Sequence, residues 1–239
     1  MNELTIKSLT HWIWQNSNLP RAIIIFWPTA SGKTALSLDI ARQMVSRIMS
    51  ADSRQIYQGL DIGTGKILPH EMQWVIHEMI DIISIDETFS AGDFARRALE
   101  MIREENQIGK IPVIIGWTGL YIDMLLYGAS THSWKADHDY RDTLQSMLDR
   151  EGSEALYEKL VQIDPASAAT LDHRNTRYVM SALEYNHATG MSKSLSYQEE
   201  RVPRLDAFFI TPYEDSQDNR KSLYDRINIR VDEMFKMGL

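Results

Sequence analysis

The sequence predicts an α/β fold: a parallel sheet flanked by helices and interrupted by a helical insertion. Three observations lead there. Residues 21–26 and 111–115 are short β-branched apolar runs of the kind buried on both faces of a parallel sheet. Helix-like stretches alternate with such runs through the first half of the chain. From 138 to 183 the texture turns polar and helical, with no strand-like run, before 205–211 (LDAFFIT) restores a strand pattern.

Element by element, the N-terminal residues MNELTIKSLTHWIWQNSNLP carry Glu3 and lack a basic flank followed by an apolar core. They make a poor signal or transit peptide and read as a short leader or a first amphipathic turn. After the strand at 21–26 comes a helix over 33–46, with Leu36, Ile40 and Val45 at roughly helical spacing. Residues 47–50 suit a second strand, and 71–85 is ambiguous between helix and strand. A helix is expected over 89–106, with Ser90 as its cap and its last turn running out at Gly109. The strand at 111–115 closes on Gly116. Helices are then expected at 142–150, 153–162 and 175–185, with a turn at Asp164-Pro165, and a final helix at 222–237. The resulting division is a core over 1–130, a helical insertion over 131–200 and a return to the core over 201–239.

Composition excludes several classes. The chain has 239 residues, 44% hydrophobic and 24% charged, ordinary for a globular protein. At this size a fold buries about 70% of the unfolded chain's surface, so no staples are required. No apolar run reaches the roughly 20 residues of a membrane helix, so no membrane partner is expected. With no cysteine, disulfides, thiol catalysis and cysteinyl metal sites are excluded. The net charge of −8 argues against an overall basic nucleic-acid binder but leaves room for a local basic groove. The seven histidines are scattered, and His77 reads as structural.

Chemistry begins at Trp27-Pro28-Thr29-Ala30-Ser31-Gly32-Lys33-Thr34. This is the phosphate-binding loop G-x-x-x-x-G-K-S/T with tryptophan at its first position, set between a strand and a helix as the motif requires. Backbone N–H groups of such a loop form an anion nest, the helix N-terminus adds positive potential, and Lys33 adds a mobile charge. The Thr34 hydroxyl is placed to hold a Mg²⁺ bridging phosphate oxygens. The bland alternative is an ordinary turn and helix start. A pyrophosphate site is the better reading, and the fold class becomes P-loop NTPase-like. The loop alone does not choose among kinases, NTPases and other pyrophosphate users.

Further motifs follow in order: Ser50-Ala51-Asp52-Ser53-Arg54-Gln55-Ile56-Tyr57, Gly59-Leu60-Asp61-Ile62-Gly63-Thr64, Phe89-Ser90-Ala91-Gly92-Asp93-Phe94 and Gly116-Trp117-Thr118-Gly119-Leu120-Tyr121-Ile122. Asn175-Thr176-Arg177 with Ala182-Leu183-Glu184, and the stretch 223–234 containing Arg226 and Arg230, complete the set. Together they closely resemble the tRNA dimethylallyltransferases, or tRNA isopentenyltransferases, over nearly all of residues 21–239.

That resemblance implies transfer of a dimethylallyl group from dimethylallyl diphosphate to the exocyclic amine of an adenosine beside the tRNA anticodon. The loop Thr29, Ala30, Ser31, Gly32, Lys33 and Thr34, with Arg226, would hold the diphosphate, with Mg²⁺ on Thr34. Lys33 would neutralise charge as the carbon–oxygen bond breaks. Asp52 would take the amine proton, with Thr118 assisting catalysis. Ser53, Arg54 and Gln55 would contact the flipped-out adenosine and its neighbours. The insertion would clamp the anticodon stem-loop, with Asn175, Thr176 and Arg177 on tRNA; Ser181 and His173 depart from the family's usual arginine and proline. A cytoplasmic monomer is implied, and relatives continue past residue 239, so further core and tRNA-binding surface is expected beyond it.

Taken alone, Asp52 would be a solvated loop carboxylate, Thr118 a helix cap, and Arg226 with Arg230 one face of an ion-paired helix. Three other functions compete. A small-molecule kinase or NTPase would need a strand-end aspartate, for which Asp81 is the nearest candidate. A tRNA-binding homologue could have lost catalysis through Trp27. Prenylation of free adenine nucleotide would leave the insertion without a purpose. Trp27, Trp74 and Trp117 each stand where the family pattern has glycine. Glycine there would allow close approach to phosphate at 27 and a strained turn at 117. We read the three as UGA codons decoded as glycine.

Overall fold

A computed structural model describes residues 3–28, 30–128, 137–196, 201–211 and 217–239. β1, Arg21–Phe26, organises the first part of the chain because both of its faces are covered. Ala22 and Ile24 join one apolar core and Ile23 and Ile25 another, as the period of two in a strand requires.

The described elements run α1 Glu3–Ile13, β1, α2 Lys33–Met44, β2 Ile48–Ala51, β3 His77–Glu78, α3 Ala91–Gln107, β4 Val113–Gly116 and α4 Gly119–Tyr127. They continue with α5 His138–Ile163, α6 Pro165–Ala168, α7 Thr176–Thr189, α8 Lys193–Ser196, β5 Asp206–Ile210 and α9 Gln217–Lys236. The strands form one parallel sheet in the order β3-β2-β4-β1-β5. The chain leaves β1 across β4 towards β2, and leaves β4 across β1 towards β5. Right-handed crossovers in opposite directions put the intervening helices on opposite faces. Accordingly Leu38 and Ile40 of α2 pack with Ile23 and Ile25, while Phe94 and Leu99 of α3 and Leu125 of α4 pack with Ala22 and Ile24.

Local chemistry sets the ends of these elements. Ser90 Oγ accepts from the Asp93 amide at 3.1 Å, and Asp93 accepts from the Ser90 amide at 3.1 Å, a reciprocal box at the start of α3. Beyond α3 the chain turns at Gly109, whose φ is +74°. The ambiguous stretch 71–85 contributes only the two residues of β3 and one bridge between Tyr57 and Ile83. Gln73, Trp74, Met79 and Asp81 all have positive φ, which breaks any longer strand there.

The N-terminal segment corrects the expectation of a leader or single turn, because it forms the three-turn α1. Trp12 donates its indole N–H to Asp206 at 2.8 Å, and its ring lies 5.5 Å from Phe208 of β5. Arg21 stacks 4.0 Å over the same ring, pairs with Asp206 and donates to the carbonyls of Trp12 and Ile13. Those carbonyls belong to the last turn of α1, where the Trp12 carbonyl also accepts from the Gln15 amide at 3.0 Å, so one guanidinium helps close the helix and ties it to the sheet.

The chain divides into two compact units, residues 1–128 with 203–239, and residues 129–202. The expected boundaries at 130/131 and 200 lie outside the described residues. In the described part of the second unit, α5 breaks at Gly152 (φ 86°), so its two arms correspond to the two helices expected at 142–150 and 153–162. Leu144, Leu156 and Leu160 of α5 pack on Val179, Met180 and Leu183 of α7. The buried Asp164 carboxylate accepts from the Ser167 and Lys193 amides, both at 3.0 Å, fixing the starts of α6 and α8. No helix among the described residues is long and apolar enough to cross a membrane.

Candidate active site

Register brings three strand ends together. Phe26 of β1 and Ala51 of β2 both align with Gly116 of β4, so three loops leave the same edge of the sheet. This is the C-terminal edge, beside the place where crossovers diverge, where open parallel sheets bind ligands. Gly116 is required by the packing: a Cβ there would lie 2.3 Å from the Ala51 carbonyl oxygen.

The loop after β1 turns through Ala30 (φ 61°) and Gly32 (φ 89°), both left-handed, and enters α2 at Lys33. The first amides of α2 have no partner within the helix and face outward from its N-terminus. Lys33 Nζ donates to the Pro28 carbonyl at 2.6 Å. Burial, aided by the charge of Arg230 and opposed by Asp52, lowers the Lys33 pKa to about 8. Thr34 is exposed in the first turn of α2, and Ser31 is buried with no hydrogen-bond partner for Oγ among the described residues. Thr29 lies outside the described residues.

The loop after β2 begins with half-buried Asp52, whose Oδ1 accepts from the Arg54 amide at 2.9 Å, an Asx turn. Thr118, at the start of α4, makes no capping bond with its side chain. Its hydroxyl instead accepts from the Ser53 amide at 3.0 Å and donates to Ser53 Oγ at 3.3 Å. Thr118 therefore holds the cap position of α4 through its backbone alone, while its side chain ties the third loop to the second. Ser50 donates to Gln55 Oε1 at 3.2 Å, and the Gln55 amide reaches the Gly65 carbonyl at 3.5 Å.

Lys33, Thr34, Asp52, Ser53, Arg54, Gln55 and Thr118 thus share one edge of the first unit. Arg226 is exposed on α9. One turn further on, half-buried Arg230 donates to the Gly65 carbonyl at 2.8 Å, and its charge reaches Lys33. The four-residue spacing marks both arginines as one face of a helix, but the sequence does not indicate which one contacts the core. Asn175, Thr176 and Arg177 begin α7 in the second unit, where Asn175 occupies the cap position without a side-chain bond and Arg177 is exposed.

Asp81 does not serve as the strand-end aspartate of a kinase. It lies outside any strand, at φ 54°, and its carboxylate is engaged by Lys66 at 2.5 Å. His77 bonds the Val75 carbonyl at 2.9 Å, and burial lowers its pKa, in keeping with a structural histidine. Among the described residues no group of three His, Asp or Glu side chains could hold a metal. One hydroxyl at a helix N-terminus, Thr34, suits Mg²⁺, which keeps waters and takes most of its other ligands from substrate phosphates. The glycine expectation needs correction in one respect. Neither Trp27 nor Trp117 has positive φ; of the three tryptophans, the left-handed one is Trp74, at φ 67°.

Comparison with known proteins identifies the family. The model of the IPP transferase family matches residues 55–239. The tRNA dimethylallyltransferase of Bacillus subtilis is 40% identical over 225 residues, which is 94% of this chain and 70% of that protein. That of Thermoanaerobacter sp. strain X514 is 37% identical, covering 91% of this chain and 69% of the relative. The crystal structure of the tRNA isopentenylpyrophosphate transferase of Bacillus halodurans matches with a TM-score of 0.56 at 37% identity, covering 92% of this chain and 67% of that one. A eukaryotic dimethylallyltransferase acting on tRNA shares the fold, with a TM-score of 0.74 at 24% identity over 91% of this chain and 53% of its own. The chain belongs to the IPP transferase family, that of the tRNA dimethylallyltransferases.

Proposed function

We propose that this chain transfers a dimethylallyl group from dimethylallyl diphosphate to the exocyclic amine of an adenosine beside the tRNA anticodon. The observation that carries the reading is the convergence of three loops at one sheet edge. An anion cradle with Lys33 lies beside a carboxylate, Asp52, whose loop is tied through Ser53 to Thr118. A kinase could use both a cradle and a strand-end carboxylate; the family match over residues 55–239 favours transfer.

In the proposed reaction the bond between the allylic carbon and the diphosphate oxygen breaks, and the amine nitrogen bonds that carbon. The amine proton passes to Asp52, a base of the required type for a weak nucleophile. Diphosphate leaves into the cradle, where the amides of α2 and the Lys33 ammonium stabilise its charge. Mg²⁺ held by Thr34 and diphosphate oxygens would supply further charge neutralisation. Gln55, oriented by Ser50 and Gly65, is suited to bind a base edge, and Arg54 is exposed beside it. Asn175, Thr176 and Arg177 would hold the anticodon stem-loop, and Arg226 would contact diphosphate. The enzyme would act as a monomer, in the cytoplasm where tRNA is found.

Incubation with dimethylallyl diphosphate, Mg²⁺ and unmodified tRNA, followed by mass spectrometry of the nucleosides, tests this. Prenylated adenosine is expected, with ATP competing poorly for the donor site. Efficient ATP hydrolysis without prenylation would overturn the reading.

A further inference from the structure

The proposed reaction leaves unused a buried lysine with two acidic partners. The side chain of Lys66 is only 3% exposed, and its ammonium meets three acceptors: Asp61 Oδ1 at 2.6 Å, Asp81 Oδ1 at 2.5 Å and the Tyr57 carbonyl at 2.9 Å. That is the full donor capacity of an ammonium. Burial pulls its pKa down, but the bonds to Asp61 and Asp81 outweigh this and hold it above the ordinary lysine value. It therefore stays charged across any practical assay.

Stability alone is a weak reason for such a group, because a buried ion pair is often no better than an apolar side chain of the same volume. What an apolar side chain cannot do is bind positions 57, 61 and 81 at one point. These belong to two irregular segments that otherwise meet through a few main-chain bonds, from Gln58 to Ile83, Asp81 to Gln55 and Ile82 to Ile56, and one bond from the Gln58 side chain to the Asp81 carbonyl at 3.0 Å. Immediately before Lys66, the Gly65 carbonyl receives both Gln55 and Arg230. Arg230 comes so close that a Cβ on Gly65 would lie 2.3 Å from its Nη2.

We propose that Lys66, with Asp61 and Asp81, is a positioning residue for the transfer: it fixes the Gly65 carbonyl that aims Gln55 and Arg230, without touching either substrate. This rests on the function proposed above. It also gives a role to the Gly59–Thr64 motif and to Asp81.

The test compares wild type, Lys66→Met, Lys66→Arg and Asp81→Asn by amide hydrogen exchange and by steady-state transfer from dimethylallyl diphosphate to unmodified tRNA. Asp81 is about half exposed, so Asp81→Asn serves should Lys66→Met not fold. In Lys66→Met, exchange at the amides of 55–66 should quicken about tenfold or more while β1 and α3 keep their protection. The donor KM should stay within about threefold and kcat should fall by roughly thirtyfold or more, with Lys66→Arg recovering part of the loss. Asp81→Asn should shift both readings in the same direction by less. Unchanged exchange over 55–66, an unchanged kcat, or an equal loss in donor KM and kcat would overturn the proposal. Should wild type transfer nothing, the proposed function falls instead, and the exchange comparison still decides whether Lys66 sets this loop.

Discussion

Asp52 and Lys33 face the same cradle with opposite requirements. Asp52 has one oxygen committed to the Arg54 amide, which fixes the direction of its carboxylate. With Asp52 as the proposed general base, Asp52→Asn should preserve donor and tRNA binding and lower turnover by roughly 10²–10⁴. Single-turnover assays beside binding measurements decide this, and near-normal turnover would remove Asp52 from the role. Lys33 carries a cost in the free protein. Its pKa is about 8 in the fold against 10.5 for an ordinary lysine, mainly through burial, so between those values the unfolded chain binds more protons. Stability from this group therefore rises with pH over that window: the penalty is complete below about 8 and gone above 10.5. Lys33→Met should raise the melting temperature at pH 7, and the gain should shrink towards pH 10. The same variant should lose donor affinity, and wild-type affinity should decline as pH rises past about 8. A variant less stable than wild type at pH 7 would contradict the assignment. The strand–turn–helix that carries the proposed cradle was legible in the sequence because its pattern of spacing is local. Arg230 was not, because its place depends on the Gly65 carbonyl, 165 positions away along the chain.

Among the elements, β4 bears the tightest constraint, since the Gly116 position abuts the Ala51 carbonyl. Gly116→Ala must separate β2 from β4 just where Asp52 and Thr118 begin. Overpacking of this kind costs about 1–3 kcal/mol, and the spread of the two loops should depress transfer further than stability. Chemical denaturation with parallel kinetics checks both, and a variant of normal stability and activity would show the sheet edge to be tolerant. Strands β1 and β4 were readable because burial on both faces of a sheet demands uninterrupted apolar runs, and Ser90 because its capping box is local. Two elements were not readable for physical reasons. β3 is two residues long and is defined by its pairing with β2, not by its own pattern. α1 owes its place to Trp12 against Asp206 and Phe208, partners that no local window contains.

Across the whole molecule, Trp27, Trp74 and Trp117 lie in three separate segments of the first unit, each where the family pattern has glycine. The physical signs at 74 and 27 agree with a side chain that does not belong. Trp74 is fully exposed and left-handed, with φ 67°, a conformation that costs an L-residue about 1–2 kcal/mol and glycine nothing. The indole N–H of Trp27 is buried without a partner among the described residues, a loss of about 1–3 kcal/mol. Trp117 is half exposed, resting on Phe26 at 5.3 Å, beside the Thr118 hydroxyl that secures the Asp52 loop. Backbone conformation demands glycine only at 74; at 27 and 117 the gain would come from clearing bulk beside the cradle. We expect all three codons to be UGA, decoded as glycine, and Trp74→Gly alone to stabilise the fold by about 1 kcal/mol. The triple Trp→Gly protein should transfer prenyl groups faster than the chain with three tryptophans, with Trp27→Gly and Trp117→Gly accounting for the rate and Trp74→Gly for the stability. Sequencing the gene decides the first point, since UGG at all three positions ends the glycine reading. Melting curves and transfer rates of the single variants decide the second, and a Trp74→Gly protein that melts lower than its parent would count against it.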